Sequence, residues 1–426
     1  MKKYFYPLFC LCVAMATTGC TDTDDPLAEP LPPEEETPDE PVDDAVDLSA
    51  DEMANCYIVQ SAGTYKFKAD NQFNLGAGLP APPEIHPVAA ELVWQTTKGS
   101  ITSVELDSTG DVPYVRFEVA EPIGNALIAV LNDDSEIVWS WHIWMPEVEI
   151  TGIPTETGYE VMNLNLGATN NTPGDAASYG MLYQWGRKDP FAASATLTGD
   201  VNTVSAPLYD IDNMPVTISN SSWTDNQNNN IKYAISHPTV CLSNYPHYAT
   251  SRDWLAQGND ALWGNPNGYD PEGGENKFAE KGRKTCYDPS PAGWRVAPAD
   301  VFSTFTSTGG YAWDFADFNI YDYNNDGQTD LDDYVYGWHF NVNDKTALYF
   351  PAAARFDGSY AMLMGSMSGL WGNYWSNAPH PSVPGGAYCC LSFQVKSQTG
   401  QDWITVSPSG GASRADAYSV RCIRDK

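Results

Sequence analysis

The sequence predicts a mostly β protein in two folded parts, an all-β sandwich followed by an α+β domain, carried behind an acidic N-terminal segment. Three observations predict it. Short runs of alternating apolar residues recur through residues 53–150, the period of strands and not of helices. From residue 155 to the end the chain is dense in Trp, Tyr, Gly and Asn, with few helical patterns. The 426 residues are 42% hydrophobic and 12% aromatic, ample for real cores, whereas residues 22–52 hold 14 acids, 6 prolines and no Lys or Arg and cannot form one.

Residues 1–19 have the order of a cleaved secretory signal: Lys2 and Lys3, an apolar run from Tyr4 to Ala16, then Thr17-Thr18-Gly19 before Cys20. The run is too short to cross a bilayer as a helix. A Cys directly after Gly at this point resembles the lipobox of bacterial lipoproteins, which implies lipidation of Cys20; Thr17 stands where that motif usually has Leu. Residues 20–52 follow as an acidic, Pro-rich tether that repels itself and is expected to be extended and disordered. Acids just after the lipidated Cys resemble the surface-export signal of Bacteroidetes lipoproteins. That resemblance implies an outer-membrane anchor with the body facing the exterior, a periplasm-facing body being the alternative.

Residues 53–150 carry six or seven strand-like runs, among them Cys56-Tyr57-Ile58-Val59, Val115 to Val119, Ala126 to Leu131 and Ile137 to Trp144. Separated by Gly, Asn, Asp and Pro, they fit a sandwich of immunoglobulin-like size. Trp139 and Trp141, two apart, share a strand face, where core packing is expected ahead of sugar stacking; His142 points the other way and is read as a bystander. The runs from Ala54 to Val59, Gly63 to Phe67 and Gly124 to Trp144 also resemble the first domain of many Bacteroidetes surface lipoproteins. Residues 146–160, with Pro146, Gly152, Pro154 and Gly158, read as a connection between the domains.

In residues 155–426 two helices are expected, Ser251 to Gln257 and Ala297 to Ser307, among short strands and long loops. Several blocks stand in a specific order: Asn163 to Ala168, Tyr179 to Arg187, Tyr287 to Val296, Tyr349 to Ala353, Tyr374-Trp375-Ser376 and Ser419 to Ile423. This series resembles the Fibrobacter succinogenes major paralogous domain. The resemblance implies the C-type-lectin-like fold also used by formylglycine-generating enzymes, and a place on surface or fimbria-associated proteins. After removal of the signal and lipidation of Cys20, six thiols remain, and their spacing leaves 15 pairings open. Where the family commonly has Cys-Pro before Gly-Trp-Arg, this chain has Ser290-Pro291, with Cys286 four residues before Ser290. The resemblance points to a Cys286–Cys422 disulfide, closing a long loop onto the last strand.

The sharpest chemical motif is Asp322 to Asp333. Asp322, Asn324, Asp326, Asp330 and Asp333 supply oxygens at loop positions 1, 3, 5, 9 and 12; Gly327 occupies the sharp turn and the Gln328 carbonyl takes position 7. Hard oxygen donors at this spacing suit a seven-coordinate Ca²⁺, expected to stiffen the loop; a solvated Asp/Asn turn is the alternative. Asp at the last position resembles a dockerin loop, but dockerins carry two such loops and this chain has one. The acid-containing tripeptides of sugar-binding C-type lectins are absent, their nearest relatives being Trp263-Gly264-Asn265, Trp371-Gly372-Asn373 and Trp375-Ser376-Asn377. No H-E-x-x-H, G-x-S-x-G or P-loop pattern occurs, and adjacent Cys389-Cys390 do not reproduce the separated pair of formylglycine-generating enzymes.

With 55 acidic against 22 basic residues and a formal charge of -33, the chain repels phosphate backbones and anionic headgroups, which excludes nucleic acid as a partner. The expectation is a non-catalytic lipoprotein for recognition or adhesion, binding a surface glycan or protein, with fimbrial subunits among the candidate partners. The alternatives are an accessory component of polysaccharide uptake and a structural envelope protein.

Overall fold

The computed structural model describes residues 44–426 apart from 77, 223–229, 247–250, 257, 268–281, 381–384, 399–400 and 426. The signal segment, Cys20 and the tether up to residue 43 lie outside the described residues. Strand makes up 38% of the described residues and helix 6%.

Eight strands form the first part: β1 (Val46–Asp47), β2 (Cys56–Ile58), β3 (Gly63–Lys68), β4 (Ala89–Gln95), β5 (Ile101–Asp107), β6 (Tyr114–Val119), β7 (Gly124–Leu131) and β8 (Ile137–Met145). One sheet has the order β1-β3-β6-β5; the other runs β4-β7-β8-β2 and is extended past β4 by Leu208–Tyr209 and Pro215–Val216. In β3 and β6 the alternation is clean: Tyr65, Phe67, Val115, Phe117 and Val119 are buried, and Phe67 meets Trp141 of the other sheet with ring centroids 4.9 Å apart. In β7 and β8 alternation gives way to continuous burial, because this sheet is covered on both faces. Ser140, His142 and Trp144, alternate residues of β8, bond to Asp189, Tyr183 and the Ala168 carbonyl.

The two predicted domains therefore share an interior. One hydrophobic cluster runs from Phe67 and Trp141 through Tyr183, Trp185 and Trp263 to Val420, and Asp44–Lys426 forms a single compact unit. The expected connection at 146–160 is structured as well: Gly152–Pro154 pairs with Glu160–Met162, and Cys422–Arg424 and Trp294–Val296 continue that sheet. The tether also ends earlier than expected. Residues 44–52 are ordered, with β1 parallel to β3, the Asp47 carboxylate accepting from the Ser49 N–H and hydroxyl, and Glu52 accepting from Lys284 Nζ and the Gly293 N–H.

The remaining chain builds a nine-stranded sheet around Trp371–Pro379 and Gly386–Gln398, and a hairpin of Gly337–Asn343 with Thr346–Pro351. Neither expected helix is present. Residues 251–252 are irregular and 253–256 are bends, and 297–307 holds a single 3-10 turn, Ser303–Phe305. Both stretches are too short to repay helix nucleation without a long apolar face. The one α-helix among the described residues is α1, Asn230–Ser236, which packs against β8.

The ordered sequence blocks of the second part interlock around one buried cation. Arg421, fully buried, donates from Nε to Asn165 Oδ1 (2.8 Å), from Nη1 to the Met162 and Asn163 carbonyls, and from Nη2 to the Tyr349 carbonyl. Its guanidinium lies 4.4 Å from the Phe350 ring centroid. Burial pulls its pKa down to about 10, yet it stays charged at neutral pH. Neighbouring blocks are tied in by Trp185 Nε1 to the Ser376 carbonyl, Trp375 Nε1 to the Tyr183 carbonyl and Tyr374 Oη to the Pro351 carbonyl.

Candidate functional sites: the acidic loop and an aromatic face

The loop Asp322–Asp333 closes on itself through its own side chains. Asp322 accepts from the N–H groups of Asp326 and Gly327, Asn324 Oδ1 from Asp326, and Asp326 Oδ1 from Gln328. Gly327 sits at φ +88° with nothing near its missing Cβ; the positive φ, not crowding, is what demands glycine. Asp330 caps the 3-10 turn Leu331–Asp333, and Asp333 answers in a reciprocal capping box. Asp333 is the buried hub, taking the Tyr323 and Asn324 N–H groups on Oδ1 and the Asp330 N–H on Oδ2. Tyr323 stacks on His339 at 4.3 Å, seating the loop on the hairpin.

The donor types and their order fit a calcium ion. The carboxylates serve as acceptors for the loop's own backbone, and among the described residues no group of three His, Cys, Asp or Glu side chains converges closely enough to hold a metal. The six residues of the motif are thus brought into one loop but not drawn into a cage.

A second feature was not foreseen. The N–H of Ala312 donates to Val406 O (2.8 Å) and that of Val406 to Ala312 O (3.0 Å), so residues 311–313 add to the edge of strand Gln401–Ser407. Ala312 and Val406 point into the core. Strand alternation therefore puts Tyr311, Trp313 and Trp403 together on the opposite, outer face. They are 54%, 73% and 65% exposed, and the Tyr311 and Trp313 rings are 5.8 Å apart. Thr405 pairs with Gln394 and Gln394 with Trp371, so the face continues to a third indole, over which the Arg355 guanidinium lies at 5.5 Å. The signal was present as Tyr-Ala-Trp and Trp-Ile-Thr-Val alternation, but only the neighbouring strand shows which side is wet.

The other residues singled out in the sequence are structural. Trp139, Trp141 and Trp144 are core side chains. His142 is no bystander: fully buried, it meets Asn125 Oδ1 through Nε2 (2.8 Å) and Tyr183 Oη through Nδ1 (3.3 Å), and burial drives its pKa down to about 3. Trp263 and Trp375 are also in the core, where Asn265 and Asn377 of their tripeptides bond to each other at 2.8 Å. The predicted Cys286–Cys422 disulfide is absent. Both are free, buried thiols facing different partners, Cys286 the Pro80 carbonyl (3.4 Å) and Cys422 the Ser290 hydroxyl (3.2 Å).

No family model, no curated protein and no solved structure matches this chain.

Proposed function

We propose that this protein is a non-catalytic recognition lipoprotein of the outer membrane, anchored through Cys20 and held out from the surface on its acidic tether to bind a glycan or protein ligand. In this reading residues 53–150 are an immunoglobulin-like sandwich and residues 155–426 a C-type-lectin-like domain, with Ca²⁺ stiffening the loop Asp322–Asp333. The observation that carries the reading is the outer face bearing Tyr311, Trp313 and Trp403. Large rings left exposed on a sheet are unusual in a chain that buries most of its indoles, and they supply the flat apolar surface on which sugar rings or partner side chains stack. Gln394, partly exposed between the rings, offers a hydrogen bond for orientation. The acidity of the chain disfavours an anionic ligand, so a neutral glycan is the favoured occupant.

The test is a glycan array probed with the full chain in calcium and in chelator. Binding to neutral glycans supports the reading. A blank array together with co-purification of fimbrial subunits would move the function from glycan recognition to assembly.

A further inference from the structure

This inference rests on the proposed export of the chain out of the reducing cytoplasm; of the six buried thiols, two meet at one seam. Cys56 lies in β2, opposite His142 of β8. Its other edge forms an isolated parallel bridge to Pro291. Cys422 opens the last strand, opposite Val296, and its thiol is bonded to the hydroxyl of Ser290, the residue next to Pro291. The segment 284–291 is fixed where these two strands meet it: Lys284 Nζ donates to the Pro291 carbonyl, Asn55 Nδ2 to the carbonyls of Cys286 and Asp288, and Asp288 accepts from the Ser290 and Val296 N–H groups. Both thiols are wholly buried. They are close enough for a charge on Cys422 to raise the Cys56 thiol further, and Tyr183 feels both.

We propose that Cys56 and Cys422 are an oxidation site, joined as a disulfide in the exported protein. The step is thiol–disulfide exchange with a disulfide oxidoreductase. One thiol loses its proton and attacks the enzyme's disulfide, giving a mixed disulfide and an enzyme thiolate. The second thiolate displaces the enzyme, so one Sγ–Sγ bond is made, one disulfide is reduced to a dithiol, and two electrons and two protons leave the chain. Because both sulphurs are sealed in the folded body, the exchange belongs to the folding stage after export. The bond ties β2, close behind the tether, to the final strand, so that nearly the whole body lies within one covalent loop. Load arriving through the Cys20 anchor then passes from residue 56 to the last strand without peeling away the three-residue strand β2.

The experiment is a thiol map of the full chain exported to an oxidising periplasm, alkylated in denaturant without reductant and digested. The expected result is a cross-linked peptide pair containing Cys56 and Cys422, lighter than the two free peptides by two hydrogens, with Cys241, Cys286, Cys389 and Cys390 alkylated. Cys56→Ser should free Cys422 for alkylation. Full alkylation of both Cys56 and Cys422 in the wild type, or linkage of Cys422 to any other cysteine, overturns the proposal, and the wild-type map decides it even if the variant does not fold.

Discussion

The Arg421 knot and the outer face carrying Trp313 lie in the same half of the molecule and differ in almost every physical respect. The knot gathers the sequence blocks that stand out to the eye, Asn163 to Ala168, Tyr349 to Ala353 and Ser419 to Ile423, and buries them around one guanidinium whose N–H groups end on Asn165 and three backbone carbonyls. The face is built from Tyr311, Trp313 and Trp403, residues in none of those blocks, and turns its rings to solvent. The motifs of this chain specify its interior, while its exposed aromatic rings come from residues outside them.

The comparison breaks most sharply at the knot. Arg421→Ala leaves the Asn165 amide oxygen and the carbonyls of Met162, Asn163 and Tyr349 without a donor in the core. The expected loss is at least ~3 kcal/mol, read as a lower denaturation midpoint in guanidinium, with no change confined to ligand binding. A variant as stable as the wild type would mean that the blocks are not held by this cation.

The acidic loop comes next. A saturating ion that binds only the folded state adds about 2.7 kcal/mol at a hundredfold excess over Kd. Calcium should accordingly raise the melting temperature of the wild type, and Asp333→Asn, which weakens the hub of the loop, should abolish that increment. An identical melting temperature in calcium and in chelator would leave the loop as a self-capped turn.

The shared interior of the two halves is tested by pH. His142 titrates near 3 when folded and near ~6.5 when unfolded, so its contribution is full above ~6.5 and is lost as pH falls toward 3, at about 1.4 kcal/mol per unit. Asp253, raised to about 6 chiefly by burial, works oppositely, its folded form taking up a proton first as pH falls from 6 toward ~4. His142→Asn should flatten the acid loss between pH 6 and 5, measured by urea titration against the wild type. An unchanged slope would contradict a neutral, sealed His142. The smallest effect belongs to the face: Trp313→Ala and Trp403→Ala should each shift stability by no more than ~0.5 kcal/mol, since neither ring supports the core.

Legibility in the sequence followed the same division. The strands of β3 and β6 are readable because one face is wet and the alternation survives. Those of β7 and β8 are readable as strands, but their burial on both faces conceals that β8 is a shared wall, which is why His142 looked idle and residues 53–150 looked separable. The acidic loop is legible because its ligands and turn are local, Gly327 taking the positive φ its position requires. The two expected helices do not form because residues 251–256 and 297–307 are held by surrounding loops, not by their own period. The Cys286–Cys422 pairing is not formed because the Cys286 thiol turns to the Pro80 carbonyl, a direction that sequence order does not reveal. The aromatic face needed the bridge between Ala312 and Val406, residues far apart in the chain, before its rings could be placed together.

Recognition is proposed to reside on the outer face of Tyr311, Trp313 and Trp403. The most direct measurement is binding of the full chain and of a Trp313→Ala/Trp403→Ala double variant to neutral glycans by affinity electrophoresis, with the fold checked by denaturation. The expected result is retardation of the wild type and at least a tenfold weaker interaction, about 1.4 kcal/mol, for an equally stable double variant. Equal retardation of the two proteins would contradict it.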